Sequence, residues 1–169
     1  VIKKWELEAG GRGGSMKLCD AELWEVFQFV GPAGHFTLSE GVKNRLFLWT
    51  WTGLVPLYNQ ILEWLAWEGD EKYQLVFWAR HIWDLYYLDR FEALKKLYPQ
   101  RFYYHLVVSR DESIGMIHKG YVTDFLSKKV TSEYSEYYLC GAPAMIESCQ
   151  QKLSELWVNE ESIFFEKYA

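Results

Sequence analysis

The stretch 45–56, RLFLWTWTGLVP, decides how this chain is read. Leu46, Phe47, Leu48 and Trp49 make an apolar run of strand length, Thr50 to Gly53 make a turn, and Pro56 stands where a helix begins. Proline is tolerated in a first helical turn because the N–H groups there have no partner within the helix. Strand, turn and helix follow in twelve residues. Turns of this kind in α/β proteins hold phosphates on the free amides of the helix start, and they use glycine where backbone passes close to the ligand. Thr50, Thr52 and the Gly53 backbone can donate hydrogen bonds to a pyrophosphate; a Thr-Gly pair before a helix equally suits ordinary capping. Trp49 and Trp51 give the turn more bulk than a phosphate loop tolerates.

Outward from this stretch the alternation repeats. Residues 73–79, 102–109, 137–140 and 162–166 read as further strands from their apolar runs. The spacing predicts helices over 55–67, 85–98, 121–129 and 143–156. The first turns Tyr58, Ile61, Leu62 and Leu65 inward. The second turns Leu88, Phe91, Leu94 and Leu97 or Tyr98 inward and stops before Pro99. A β-α-β-α order with short connections predicts an α/β fold: a parallel, five-stranded Rossmann-like sheet with helices on both faces. Ligands of such sheets sit at the carboxyl ends of the strands, so loops 49–56, 78–84, 109–120 and 140–144 are the places for chemistry. Before residue 40 the pattern differs. Short alternating segments (1–8 and 24–30) are separated by the glycine cluster AGGRGGS at 9–15 and the turn GPAG at 31–34, and this punctuation predicts a short antiparallel β segment.

Composition narrows the function classes. With 50% hydrophobic and 24% charged residues the 169-residue chain is globular rather than disordered. A net charge of -5 excludes a general nucleic-acid binder, which needs a basic stripe. No apolar run approaches the ~20 residues of a membrane span. Cys19, Cys140 and Cys149 have neither metal-ligand spacing nor disulfide density, which favours a reducing, cytoplasmic setting. His35, His81, His105 and His118 form no zinc pattern, and there is no GxSxG elbow, so no metal is expected. Asp84, Asp89, Asp111 and Asp124 read as helix caps and exposed faces. The 9 Trp, 12 Tyr and 10 Phe are the unusual feature, and they suit a rich core, an aromatic pocket or an interface.

Two other strand-end loops carry candidate chemistry. YYLCGAPAM at 137–145 puts Cys140 at a strand end beside a helix start. There a thiol can be polarised or can touch a ligand ring; it can equally pack as a small hydrophobe. VVSRDE at 107–112 sets the Ser109 hydroxyl beside the Arg110 guanidinium, a pair suited to a phosphate and equally at home in a polar loop.

Taken in order, GPAGHFTL, LFLWTWTGLVPLYNQI, LVFWARHIWDLYYLDRFEALKKLYP, YHLVVSRDE, KGYVTDFL, YYLCGAPAM and IFFEKYA resemble the ferredoxin–NADP reductase family and related flavin-linked reductases nearly end to end. The resemblance implies an NAD(P)H-binding α/β domain over 41–169, and a remnant of the antiparallel FAD-binding barrel over 1–40. It implies a hydride passing from NAD(P)H to FAD. Thr50, Thr52 and Gly53 match the pyrophosphate turn, Cys140 and Gly141 the pair beside the nicotinamide, and Ser109 and Arg110 the adenosine end. Ser15 matches an FAD-phosphate motif, and Tyr168 the aromatic that covers the flavin. The family's Arg-x-Tyr-Ser flavin motif belongs upstream of Val1. An electron-acceptor protein or a further portion of the FAD domain is the implied partner. Family members carry small residues where Trp49, Trp51 and Trp78 stand, so these indoles, introduced naturally or by design, are expected to fill the cleft and impair cofactor binding. The alternative is a non-catalytic protein-binding scaffold on the same fold.

Overall fold

The computed structural model describes residues 7–9, 13–28, 30–31, 36–41, 43–50, 53–127 and 131–167. They divide into two units, Val1–His35 and Phe36–Ala169. The second is built on one sheet of β1 (Arg45–Thr50), β2 (Tyr73–Ala79), β3 (Phe102–Val108), β4 (Ile117–Lys119), β5 (Glu136–Gly141) and β6 (Ile163–Lys167). The strand order is β4-β3-β2-β1-β5-β6 and every pairing is parallel. The sheet therefore has six strands where the sequence predicts five. The extra strand, β4, is three residues long and half exposed, so it lacks the apolar run that marks the others.

The chain steps outward from β1 to β4 and then returns to the other side of β1 for β5 and β6. Strand order reverses between β1 and β5, which defines the switch point. Among the described residues the helices of this unit are α2 (Leu54–Leu65), α3 (Leu88–Leu97), α4 (Val122–Phe125) and α5 (Pro143–Glu155). Side chains of a strand alternate between faces, and the core splits accordingly. Phe47, Trp49, Leu75, Phe77, Leu106, Tyr138 and Cys140 share one cluster with Leu54, Leu57 and Ile61 of α2 and Phe91 of α3. Leu46, Leu48, Val76, Val107, Tyr137 and Leu139 share the other with Val122 of α4 and Ile146, Cys149 and Leu153 of α5. On α2 the buried stripe is Leu54, Leu57, Ile61 and Leu65, whereas Leu62, expected inside, is 38% exposed. On α3 Leu97 faces solvent, and of the two expected alternatives it is Tyr98, at the helix end, that packs against the core.

A buried ionic cluster ties the amino ends of β1 and β5 together. Arg45 pairs in register with Glu136, and its Nε lies 3.0 Å from Glu136 Oε2. Lys43 Nζ reaches Glu136 Oε1 at 2.6 Å, and Arg45 also donates to the carbonyls of Ser39 and Gly41. The outer face of the guanidinium rests on the Trp64 ring at 4.0 Å. Charges this deeply buried are tolerated because each is paired and hydrogen-bonded.

The first unit contains a 3-10 turn, Leu7–Ala9, and helix α1 (Gly14–Cys19). Its described residues include no strand, in contrast to the antiparallel segment expected from the alternation at 24–30. Leu23, Trp24, Val26 and Val30 are exposed there, and most of the other alternating segment, 1–8, lies outside the described residues.

Candidate functional site

The carboxyl ends of β1 and β5 meet closely at the switch point. Thr50 closes β1 with its side chain fully buried, and its Oγ1 accepts a hydrogen bond from the Ala142 amide at 3.3 Å. Two glycines permit that approach. Gly141 has φ +144°, and a Cβ there would collide with the Thr50 hydroxyl and stand 3.1 Å from its amide nitrogen. A Cβ on Gly53 would lie 2.5 Å from the Cys140 carbonyl oxygen, so the first turn of α2 is pressed against the end of β5. Both positions tolerate glycine alone.

The helices α2 and α5 start from these two neighbouring strand ends. Their N-cap residues, Gly53 and Ala142, offer no side-chain cap, and Pro143 occupies the first turn of α5. The positive ends of two helix dipoles, neither closed by an N-cap side chain, therefore converge on one edge of the sheet, an arrangement suited to an anionic ligand.

Cys140 does not face that edge. It is fully buried in the α2–α3 core, with Sγ 3.1 Å from where a Gly53 Cβ would stand. Of the two readings of this residue, a polarised thiol beside a ligand and a small packed side chain, its burial favours the second.

Beside the switch point, the loops after β2 and β3 are fastened together. The Ser109 amide donates to the Ala79 carbonyl at 3.2 Å and the Arg110 amide to the Arg80 carbonyl at 2.9 Å. Beyond them His81 Nδ1 lies 2.9 Å from Asp111 Oδ1, and Asp111 Oδ2 accepts from the Ile82 amide at 2.6 Å. Hydrogen bonds from His81 and then from the Ile82 amide hold the Asp111 carboxyl below its usual range. A carboxylate partner places the proton on Nδ1. Ser109 is half-buried and Arg110 exposed, at the carboxyl edge as expected. His81 and Asp111 were legible only as members of two strand-end loops; that parallel neighbours β2 and β3 bring those loops together was the available signal.

A cavity of about 350 Å³ opens at this edge, lined by Trp78, Arg80, Tyr121, Ala142, Met145 and Ser148 among others. Trp78 is half-buried, donates its indole N–H to the Gly120 carbonyl at 3.1 Å and stacks on Tyr121 with centroids 5.9 Å apart. Trp49, expected in the cleft, is in the core instead, against Phe77 at 4.5 Å and Phe91 at 5.6 Å. It shares its parity with Phe47, which turns it toward α2 and α3. Trp51 and Thr52 lie outside the described residues, as does Tyr168. Ser15 lies in α1 of the first unit. A larger cavity, about 910 Å³, lies beside the second half of α2 and is lined by Glu40, Glu63, Glu68 and Glu71. Glu71 is paired with Arg101, but the carboxylates of Glu40, Glu63 and Glu68 repel a dinucleotide's phosphates, so the smaller cavity at the switch point is the better candidate.

Among the described residues no helix is long and apolar enough to cross a membrane, and no three His, Cys, Asp or Glu are grouped to hold a metal ion.

Comparison with known proteins converges on one family. A family model described as an oxidoreductase NAD-binding domain matches residues 47–151. The electron transfer component of toluate 1,2-dioxygenase from Pseudomonas putida is 31% identical over 162 residues, which is 95% of this chain and 47% of that protein. The electron transfer component of xylene/toluene monooxygenase from the same organism is 30% identical, across 81% of this chain and 40% of its own. The chain thus spans less than half the length of these curated relatives. Among solved structures, the Amycolatopsis cytochrome P450 reductase GcoB superposes with a TM-score of 0.72 at 29% identity, over 81% of this chain and 42% of that one. A ferredoxin NADP+ reductase from Neisseria gonorrhoeae shares the fold with a TM-score of 0.60 at 20% identity, over 75% and 56%.

Proposed function

The chain belongs to the oxidoreductase NAD-binding domain family, and we propose that it is the pyridine-nucleotide half of a flavin-dependent electron-transfer reductase. The observation that carries this reading is the switch point, where Gly53 and Gly141 let β1, α2 and β5 close onto one another and leave two helix N-termini uncapped. Those features fit a pyridine nucleotide: helix N-termini for its pyrophosphate, and glycine backbone where a side chain would intrude. Thr50, Gly53 and Gly141, with Thr52, hold the pyrophosphate and the nicotinamide end. Ser109 and Arg110 meet the adenosine end, and Cys140 sets the floor by packing beneath Gly53. When bound, the nucleotide supplies a hydride for a flavin. Ser15 and Tyr168 are the residues through which FAD is contacted, with residues 1–40 as the barrel-derived part. The partner is an electron-acceptor protein or a further portion of an FAD domain, in a reducing, cytoplasmic setting that suits three cysteines outside any disulfide.

Trp78 weakens nucleotide binding in this reading. Its indole lines the cavity and is held by Gly120 and Tyr121, so a ligand entering there must displace it. Calorimetric titration with NADH and NADPH tests both points. The chain should bind one or both saturably, and Trp78→Gly should tighten binding about tenfold, ~1.4 kcal/mol. No binding at millimolar nucleotide in either chain would contradict the reading. A second reading, a protein-binding scaffold, is favoured by one observation: Trp67, Trp83 and Trp157 are 70%, 74% and 88% exposed, and exposed indoles anchor interfaces.

A further inference from the structure

The backbone ladder between β2 and β3 continues past both strands through Ser109 and Arg110, and one residue later side chains take over. His81 and Asp111, 30 residues apart in sequence, meet at 2.9 Å there. The imidazole is fixed from two sides. Its Nδ1 faces the Asp111 carboxylate, and its face lies flat on the Trp83 indole with centroids 4.1 Å apart and 8° between planes. Its own backbone amide donates to Asp84 Oδ2 at 3.2 Å, which sets the 3-10 turn Ile82–Asp84. Asp111 in turn receives the Ile82 amide on its second oxygen, so one carboxylate bridges the side chain and the backbone of the neighbouring loop. Charge-assisted hydrogen bonds of this kind are shorter and stronger than neutral ones. Arg80 and Arg110 are the adjacent residues, joined through the Arg110 amide and the Arg80 carbonyl at 2.9 Å.

We propose that His81 and Asp111 are positioning residues: their pair holds the loop of Ser109 and Arg110 in the place where it meets the adenosine half of the nucleotide. The inference rests on the nucleotide reading above. Neither side chain need touch the ligand. They act by removing the freedom of a loop that otherwise would have to be ordered at the moment of binding. A pair that only stabilised the fold would affect both halves of the ligand alike. A positioning pair affects the adenosine half.

The test uses the 169-residue chain, with ADP-ribose and reduced nicotinamide mononucleotide as separate calorimetric probes, and amide hydrogen exchange at Ile82 and Arg110 on the same samples. His81→Ala should weaken ADP-ribose about 5- to 10-fold, the scale of one lost charge-assisted hydrogen bond. It should leave the mononucleotide unchanged and speed exchange at both amides. His81→Asn, whose amide nitrogen can stand where Nδ1 does, should restore ADP-ribose binding. ADP-ribose binding unchanged in His81→Ala, or an equal loss of both probes, would overturn the proposal. If the unmutated chain binds neither probe, the nucleotide reading falls with it. Exchange at Ile82 and Arg110 that ignores His81→Ala then refutes the latch independently.

Discussion

Trp49 carries the largest fully buried side chain of β1, and its indole N–H has no hydrogen-bond partner among the described residues. Two effects of opposite sign meet in that residue. Burying a ring of this size contributes several kcal/mol, whereas an unpaired buried donor costs about 1–3 kcal/mol. Trp49→Phe keeps a ring against Phe77 and Phe91 and removes the orphan donor, so its stability change should stay below about 1 kcal/mol, while Trp49→Ala should cost about 3–5 kcal/mol through the cavity it leaves. Urea unfolding at constant m reads the difference. A Phe variant as damaged as the Ala variant would show that the indole N–H is satisfied. The residue also marks a limit of sequence: a Trp before a glycine turn looks like an obstruction until strand parity assigns it to a face. The glycines were legible as glycines. What Gly53 and Gly141 approach, the Cys140 carbonyl and the Thr50 hydroxyl, is fixed by β1–β5 pairing, and no local pattern contains it.

Among the elements, β1, β2, β3 and β5 were legible because both of their faces are buried and their sequences are almost wholly apolar. β4 was missed because an exposed three-residue edge strand has no pattern to show. The α2 stripe was shifted, since Leu62 and Leu57 are equally apolar and only packing decides between them. The ionic cluster that joins β1 to β5 was not legible either, because Arg45 and Glu136 are 91 residues apart and only the pairing of β1 with β5 brings them together. Burial raises the Glu136 carboxyl, but hydrogen bonds from Lys43 and Ser39, together with the Arg45 charge, outweigh it and hold the group below its ordinary 4.5. A carboxylate depressed in the fold adds stability above pH 4.5, and that stability is lost as pH falls through the lower, folded value. Glu136→Gln should therefore destabilise the chain at pH 7 by ~3 kcal/mol, because it leaves Arg45 buried without its counter-charge. It should also flatten the decline of stability below pH 4.5. Chemical denaturation across pH 3–7 checks both, and an acid limb as steep as that of the unmutated chain would contradict the assignment.

At the scale of the molecule, topology brings the site together. Loops after β1, β2, β3 and β5 come from distant parts of the sequence and end on one edge only because all four strands are parallel. The β-α-β order made that edge predictable, and with it Thr50, Gly53, Ser109, Arg110 and Gly141. It could not reveal the His81–Asp111 pair, which depends on which strands are neighbours, nor that Cys140 points into the core. The central claim is that an NAD(P)H nucleotide lies across this edge. Backbone amide shift mapping of the isotopically labelled chain during titration with NADPH, and in parallel NADH, tests it most directly. The account predicts saturable perturbations at Gly53, Ser109, Arg110, Gly141 and Ala142. Perturbations confined to the acidic cavity beside α2, or none with either nucleotide at millimolar concentration, would contradict it.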